Sequence, residues 1–280
     1  MSIYFDGKKY LKEHLTLLKD EVEKLKEKAI IPSLASVYLP DDPGSVLYTK
    51  LKKNAAESIG VKFNSYELKK RKPKVVISLI KELNKNKKVQ GVIIQKPYGE
   101  KDYNPTDWVK IVKELSPKKD VDGLTPENLG LLSLGAPNFI PATVKAVMKV
   151  IEEWKVSLPG KNVVIIGTSD ILGRPLSMLL TDKQATVSLL HKKTQDINLF
   201  TRSADILISA TGKEGLIGKD NIKDSAVVID VGAPKGDVRK DEIEKKAAYL
   251  SPVPGGVGPV TIYCLLENLV QAANSMIAKR

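Results

Sequence analysis

Four consecutive β-branched residues, Val163-Val164-Ile165-Ile166, run straight into Gly167. β-Branched side chains favour extended backbone, and a strand without polar residues on either face must be covered on both. Helices laid on both sides of a parallel sheet give that cover. The rest of the chain supplies the pieces, because helix-like and strand-like segments alternate along it, as they do in an α/β protein. Leu11, Leu15, Leu18, Val22 and Leu25 recur at three- and four-residue spacing, which predicts an amphipathic helix over 8–28. Residues 33–39, 61–68 and 89–95 read as strands. Helices are expected at 45–59, capped by Ser45 and stopped by Gly60, and at 74–86, with a turn at Asp41-Asp42-Pro43-Gly44. Residues 96–140, rich in Pro, Gly and Asp, read as binding loops between two bodies, with a short helix near 106–115. A helix over 141–154 leads into the second body. Its strands are expected at 163–166, 185–190, 205–210 and 226–231. A last helix runs over 259–278, with Pro259 at its first position.

The segment GTSDILGRP (167–175) follows the apolar strand and precedes a helical stretch. A glycine at such a strand end lets backbone approach a phosphate, and the next helix offers N–H groups and the positive end of its dipole. Gly167, Ser169 and Gly173 suit that task. The Gly-x-Gly-x-x-Gly spacing is not kept, since Ser169 stands where the second glycine belongs. On pattern alone the segment is either a dinucleotide loop or a plain strand–turn–helix connection. The next strand ends in His191-Lys192-Lys193-Thr194. An Asp or Glu there would bond the ribose hydroxyls of NAD. Two cations would instead stabilise a 2′-phosphate, which favours NADP, and Arg174 is a further candidate for that phosphate. The alternative is a pair of solvated lysines. SATG (209–212) and DVGAP (230–234) follow two more strands, so Thr211 and Gly232 fall where a dinucleotide would lie.

In the first body Tyr48 and Lys52 are four residues apart and share one helix face. Such a pair can move a proton when the lysine is desolvated, because burial lowers its pKa towards neutrality. Chance also makes Tyr-x-x-x-Lys common among 40 lysines, so an amphipathic helix alone explains it too. Gln95 ends a strand from which its amide could orient the lysine. Asp120 and Asp122 in KKDVDG (118–123) could meet a nitrogen heterocycle, or could simply cap a turn. SPVPGGVGPVT (251–261) combines three prolines with three glycines, a backbone that is costly to order unless something must approach it closely.

Charge narrows the class of ligand. The net charge is +12, which can draw nucleic acid, an anionic membrane or a polyanionic small molecule. The basic residues are 40 Lys against 5 Arg, interleaved with Glu and Asp, and no RNA-binding aromatic signature or zinc-finger spacing accompanies them. No nucleic-acid partner is expected. No apolar run nears the ~18–20 residues of a membrane span, and no secretory signal is visible, so neither a membrane partner nor export is expected. A single cysteine, Cys264, with His14 and His191, is a poor stock of soft ligands, so no metal is expected. The expected compartment is the reducing cytoplasm.

Together these motifs resemble the bifunctional methylenetetrahydrofolate dehydrogenase/methenyltetrahydrofolate cyclohydrolase family, of the FolD type. The resemblance runs in order through YTKLKKNAAESIG (48–60), KKDVDGLTPENLG (118–130), GTSDILGRP, DVGAP and SPVPGGVGPVT. It implies two α/β domains, a folate-binding catalytic domain of residues 1–140 plus 262–280 and a Rossmann-like NADP-binding domain of 141–261, with the active site in the interdomain cleft. It implies that Lys52 is the central acid/base, that Tyr48 and Gln95 shape its surroundings, and that Asp122 holds the pteridine. Gly167, Thr168, Ser169, Gly173, Arg174, His191, Lys192, Lys193, Thr211 and Gly232 would contact NADP. Pro254, Gly255 and Gly256 would line the substrate's crevice beside Tyr48, Lys52, Gln95 and Asp122. The implied partners are tetrahydrofolate derivatives, polyglutamylated forms included, and a second copy in a homodimer. Hydride would leave 5,10-methylenetetrahydrofolate for the nicotinamide, and water would then open the methenyl product to 10-formyltetrahydrofolate.

Two departures stand out. The family's Gln-Leu-Pro reads Gln95-Lys96-Pro97, followed by Tyr98-Gly99, and its Pro-Cys-Thr-Pro reads Pro141-Ala142-Thr143-Val144. Lys96 could bind a glutamate tail or alter the field near Lys52. Two alternatives stay open at this point: a shikimate-dehydrogenase-like NADP enzyme, and a non-catalytic dinucleotide- or nucleic-acid-binding protein.

Overall fold

A computed structural model describes residues 1–40, 43–68, 72–96 and 105–277. In chain order the strands are β1 (Ile3–Tyr4), β2 (Ser33–Tyr38), β3 (Lys62–Glu67), β4 (Gly91–Ile94), β5 (Asn162–Ile166), β6 (Thr186–Leu190), β7 (Ile206–Ser209), β8 (Val227–Asp230) and β9 (Tyr249–Ser251). The helices are α1 (Gly7–Glu27), α2 (Pro43–Ser58), α3 (Pro73–Lys85), α4 (Pro105–Val112), α5 (Pro126–Ser133), α6 (Ala142–Glu153), α7 (Gly173–Asp182), α8 (Asn198–Thr201), α9 (Lys240–Ile243) and α10 (Val257–Ile277). They form two compact units. One comprises Lys12–Leu131, Pro137–Ala142 and Ile262–Arg280, and the other Met1–Leu11, Leu132–Ala136 and Thr143–Thr261.

The first unit holds a parallel three-stranded sheet in the order β3-β2-β4. From β2 the chain moves through α2 to β3 and from β3 through α3 back past β2 to β4, so right-handed crossovers in opposite directions put α2 and α3 on opposite faces. Ala35, Val37, Leu39, Val92 and Ile94 alternate onto the α3 face and pack with Val76, Ile80, Leu83, Trp108 and Ile111. Each fully buried Val, Leu or Ile among them contributes about 1.5–3 kcal/mol. Ser36, Gly91, Ile93 and Gln95 alternate onto the other face. There Gly91 leaves room for α10, since a Cβ would stand 2.6 Å from Leu269 Cδ1. Beyond β4 the chain lies alongside it once more, where Val92 N–H donates to Lys119 O at 2.7 Å and Val92 bridges Asp120.

The second unit holds a parallel six-stranded sheet in the order β1-β9-β8-β7-β5-β6. Val163–Ile166 is buried throughout, as a strand covered on both faces must be. From β5 the chain goes one way to β6, and from β7 it goes the other way to β8. The loops after β5 and β7 therefore part at a topological switch point, where ligands of open α/β sheets bind.

The structure differs from the sequence expectations in several places. The resemblance puts residues 1–11 with the folate-binding domain, whereas β1 pairs with β9 and Ser2 Oγ donates to Glu244 O and Ala247 O at 2.8 and 2.7 Å, which groups them with the six-stranded unit. Leu132–Ala136 joins it as well. The stretch read as loops contains α5, opened by Thr125, whose Oγ1 accepts Asn128 N–H at 3.4 Å, and by Pro126 at the first position. α2 starts at Pro43, ahead of Ser45, and α10 starts at Val257, which puts Pro259 third, still within the turn that needs no intrahelical N–H. Asp41 and Asp42 lie outside the described residues. No helix among the described residues is long and apolar enough to cross a membrane.

Candidate active site

α2 presents Tyr48 and Lys52 on one face. Lys52 is only 7% exposed although it carries an ammonium group. Burial holds its pKa below the usual lysine range, while the Asp122 carboxylate pulls the other way by favouring the charged form. Burial pushes the Asp122 carboxyl up, Lys52 draws it back down, and Asp120 adds to the rise. The Tyr48 phenol is raised by burial too. Gln95 follows β4 and anchors its backbone N–H on Val37 O at 2.8 Å. Its side-chain Nε2 is buried and meets no acceptor among the described residues. The four residues expected to do the chemistry thus all belong to the three-stranded unit, and two of them are electrostatically coupled.

The two aspartates of KKDVDG have separate tasks. Asp120 is 1% exposed, and its Oδ2 accepts Thr125 N–H at 2.7 Å and Asn128 Nδ2 at 2.8 Å, which makes it the turn's cap. Asp122 is spent on no such bond among the described residues and stays half-buried beside Lys52's field. Its backbone is held by residues that sequence reasoning missed. Lys119 Nζ donates to Leu83 O and Asn86 O at 2.8 and 2.7 Å, tying the loop to the last turn of α3. Asn268 Nδ2 donates to Val121 O at 2.9 Å and Ile140 O at 3.0 Å. Gly123 has φ +71°, and a Cβ there would stand 2.9 Å from Pro141 N. The visible signal for Asn268 was one amide inside the apolar run Leu265-Leu266-Glu267-Asn268-Leu269-Val270. Lys96 places its Nζ 5.2 Å from the Trp108 ring centroid, a cation–π contact. Pro97, Tyr98 and Gly99 lie outside the described residues.

The expected cofactor residues belong to the six-stranded unit. Gly167 has φ +123°, and the Ala210 carbonyl fills the place of a Cβ, so the loops after β5 and β7 touch. A Cβ on Gly173 would land on the Gly167 carbonyl. The N–H groups of Thr168, Ser169, Ile171 and Leu172 are given to no acceptor among the described residues, which suits an anion at the start of α7. Arg174 is exposed and its backbone N–H donates to Ser169 O at 3.1 Å. His191 to Thr194 form a turn in which Lys193 N–H donates to His191 Nδ1 at 3.1 Å, so the neutral ring keeps its proton on Nε2. Lys192 and Lys193 are exposed and make no ion pair among the described residues.

Thr211 N–H and Oγ1 donate to Asp237 Oδ2 at 2.7 and 2.9 Å, and Gly232 N–H donates to Asp230 Oδ1 at 2.8 Å. Pro254 is exposed and follows a cis peptide bond. Gly255 has φ +100° with open space around its Cα, and its carbonyl accepts Gly7 N–H at 2.8 Å. A Cβ on Gly256 would collide with Ser251 Oγ.

Comparison with known proteins gives two family models that match successive parts of the chain. The family model described as tetrahydrofolate dehydrogenase/cyclohydrolase, catalytic domain, matches residues 5–122. Its companion, the NAD(P)-binding domain, matches residues 141–277. A Nautilia profundicola relative named bifunctional protein FolD is 41% identical over 278 residues, 96% of each chain. The crystal structure of the bifunctional FolD methylenetetrahydrofolate dehydrogenase/cyclohydrolase from Campylobacter jejuni superposes with a TM-score of 0.91 at 38% identity, covering 99% of this chain and 100% of that one. The Trypanosoma brucei dehydrogenase-cyclohydrolase, solved with NADP cofactor and inhibitor, gives 0.92 at 33% identity, covering 99% and 98%.

Proposed function

The chain belongs to the tetrahydrofolate dehydrogenase/cyclohydrolase family, and from that premise we propose which of its residues carry the two reactions. It is a bifunctional enzyme of one-carbon folate metabolism that oxidises 5,10-methylenetetrahydrofolate with NADP and hydrolyses the methenyl product to 10-formyltetrahydrofolate. NADP supplies the acceptor for the hydride that leaves the methylene carbon. Gly167, Thr168, Ser169, Gly173 and Arg174 hold its phosphates, His191, Lys192 and Lys193 receive the 2′-phosphate, and Thr211 and Gly232 line its path. The crowded glycines and unspent N–H groups of the 167–173 loop fit such a group.

Asp122 binds the pteridine through an acceptor that no donor among the described residues competes for, and Pro254, Gly255 and Gly256 help to hold the folate. Tyr48 and Gln95 bracket Lys52. In its neutral form, Lys52 takes a proton from the water that adds to the cationic methenyl carbon. The bond from that carbon to N5 then breaks, and Lys52 returns a proton to N5. Water and the methenyl cation thus give the 10-formyl product and one released proton. The observation that carries this assignment is a buried lysine with a lowered pKa in the field of Asp122. Lys52→Met tests it, with the expectation that ring opening is lost while NADP affinity is kept. Undiminished cyclohydrolase activity would remove Lys52 from the role.

The family relationship also supports a cytoplasmic homodimer that acts on polyglutamylated folates and supplies formyl groups to purine biosynthesis. It supports no metal, membrane or nucleic-acid partner.

A further inference from the structure

We propose that Asp237 is a positioning residue for the dinucleotide, a latch that sets the distance between the strand ends after β7 and β8. The inference rests on the reading that these strand ends hold NADP. Asp237 is fully buried, and its Oδ2 takes three donors: Ser209 Oγ at 2.7 Å, Thr211 N–H at 2.7 Å and Thr211 Oγ1 at 2.9 Å. All three come from the end of β7, while Asp237 itself lies on the excursion that follows β8. Three donors on one oxygen offset much of the cost of a carboxylate without solvent, while its other oxygen, Oδ1, is buried with no partner among the described residues.

A second buried carboxylate fixes the latch from the other side. Asp230, the last residue of β8, accepts Gly232 N–H at 2.8 Å and Asp237 N–H at 3.1 Å on Oδ1, and Val238 N–H at 3.0 Å on Oδ2. The loop has no slack around the pair. A Cβ on Gly232 would stand 2.8 Å from Asp237 N, and one on Gly236 would stand 2.6 Å from Asp230 Oδ2. Thr211 therefore cannot move relative to Gly232 without breaking bonds to Asp237, and both are residues assigned to the cofactor's path. Asp237 acts through Thr211 and touches neither substrate nor reacting atoms.

The test uses the full-length enzyme and three readouts: the NADP dissociation constant by fluorescence titration, the cyclohydrolase rate on methenyltetrahydrofolate without NADP, and the thermal midpoint. Asp237→Asn keeps one acceptor oxygen but loses the charge, and Asp237→Ala loses both. NADP is expected to bind about tenfold more weakly to Asp237→Asn and weaker still to Asp237→Ala, with the cyclohydrolase rate kept within about twofold. Thr211→Val, which keeps only the backbone donor, should weaken NADP binding in the same direction. An NADP affinity unchanged in Asp237→Asn overturns the latch, and so does a cyclohydrolase rate that falls in step with binding, which would mark a merely structural role. Lys192→Asp with Lys193→Asp, measured alongside, separates the two levels. Loss of NADP affinity there but not in Asp237→Asn rejects the latch alone. No loss in either rejects the cofactor site on which it rests.

Discussion

Asn268→Leu probes the scaffold under Asp122. The substitution keeps the heavy-atom count and branching of a fully buried side chain, with some added bulk, and removes an amide that serves two backbone carbonyls. The bond to Val121 O is buried, so its loss leaves an acceptor that water does not reach, at about 1–3 kcal/mol. The bond to Ile140 O is only partly buried, and water can replace some of it, so roughly 1 kcal/mol is a fair share. The sum is a stability loss of about 2–4 kcal/mol, read from urea unfolding followed by circular dichroism with the slope unchanged. Val121 immediately precedes Asp122, so the folate KM should rise in the same variant while NADP affinity holds. Asn268→Asp sharpens the test, because a carboxylate has no N–H to give and would face two carbonyls. At neutral pH it should be at least as damaging as leucine. A loss below about 0.5 kcal/mol in Asn268→Leu, or a benign Asn268→Asp, would refute the reasoning that donation to these carbonyls holds the loop.

The cyclohydrolase rate should rise with pH along a limb that reports Lys52, since only the neutral amine accepts a proton, and its midpoint should lie below the ordinary lysine value of 10.5. Asp122 raises Lys52's pKa, so Asp122→Asn should shift that limb to lower pH, and a shift upward would contradict the coupling. Lys192→Asp with Lys193→Asp should move the NADP/NAD preference towards NAD by about tenfold or more, and an unaltered ratio would return these lysines to the solvated surface. Gly173→Ala drives a methyl into the Gly167 carbonyl, an overpacking worth about 1–3 kcal/mol, so NADP affinity should fall, and wild-type affinity would deny the loop its role.

The parts of the fold that were legible in the sequence are those with a strong period or a hard stop. Val163–Ile166 is buried on both faces because its sequence offers no polar face. α1 keeps Leu18, Val22 and Leu25 inside, as its spacing requires. Gly60 stops α2 with φ +80°. β1 and β9 were illegible because two or three residues carry no period, and β1 exists only through pairing with a partner 246 positions away, Ile3 with Tyr249. α5 was hidden by its setting among prolines and glycines, although Thr125-Pro126-Glu127 is a helix start. The chemical residues were legible as types at fixed spacing. Lys119, Asn128, Asn268 and Asp237 were not, because each acts by filling a backbone valence that only the folded chain creates.

That contrast separates chemistry from scaffolding among residues of the same type. Asp120, Asp230 and Asp237 are buried and surrounded by donors, and each donor comes from a turn or strand end that must be held. Each therefore has an oxygen committed to holding the backbone or side chain of a turn or strand end. Asp122 is half-buried and the Gln95 Nε2 is buried, both without such partners among the described residues, and Asp122 and Lys52 are coupled through the field between them. A buried polar group without a partner costs free energy in the folded chain and persists only where something else supplies the partner. KKDVDG places both kinds two residues apart. Its first aspartate holds the turn through two donors on Oδ2 while its second is left open, and substituting either should give a different failure: Asp120→Asn a loss of stability, Asp122→Asn a loss of folate binding with the fold intact.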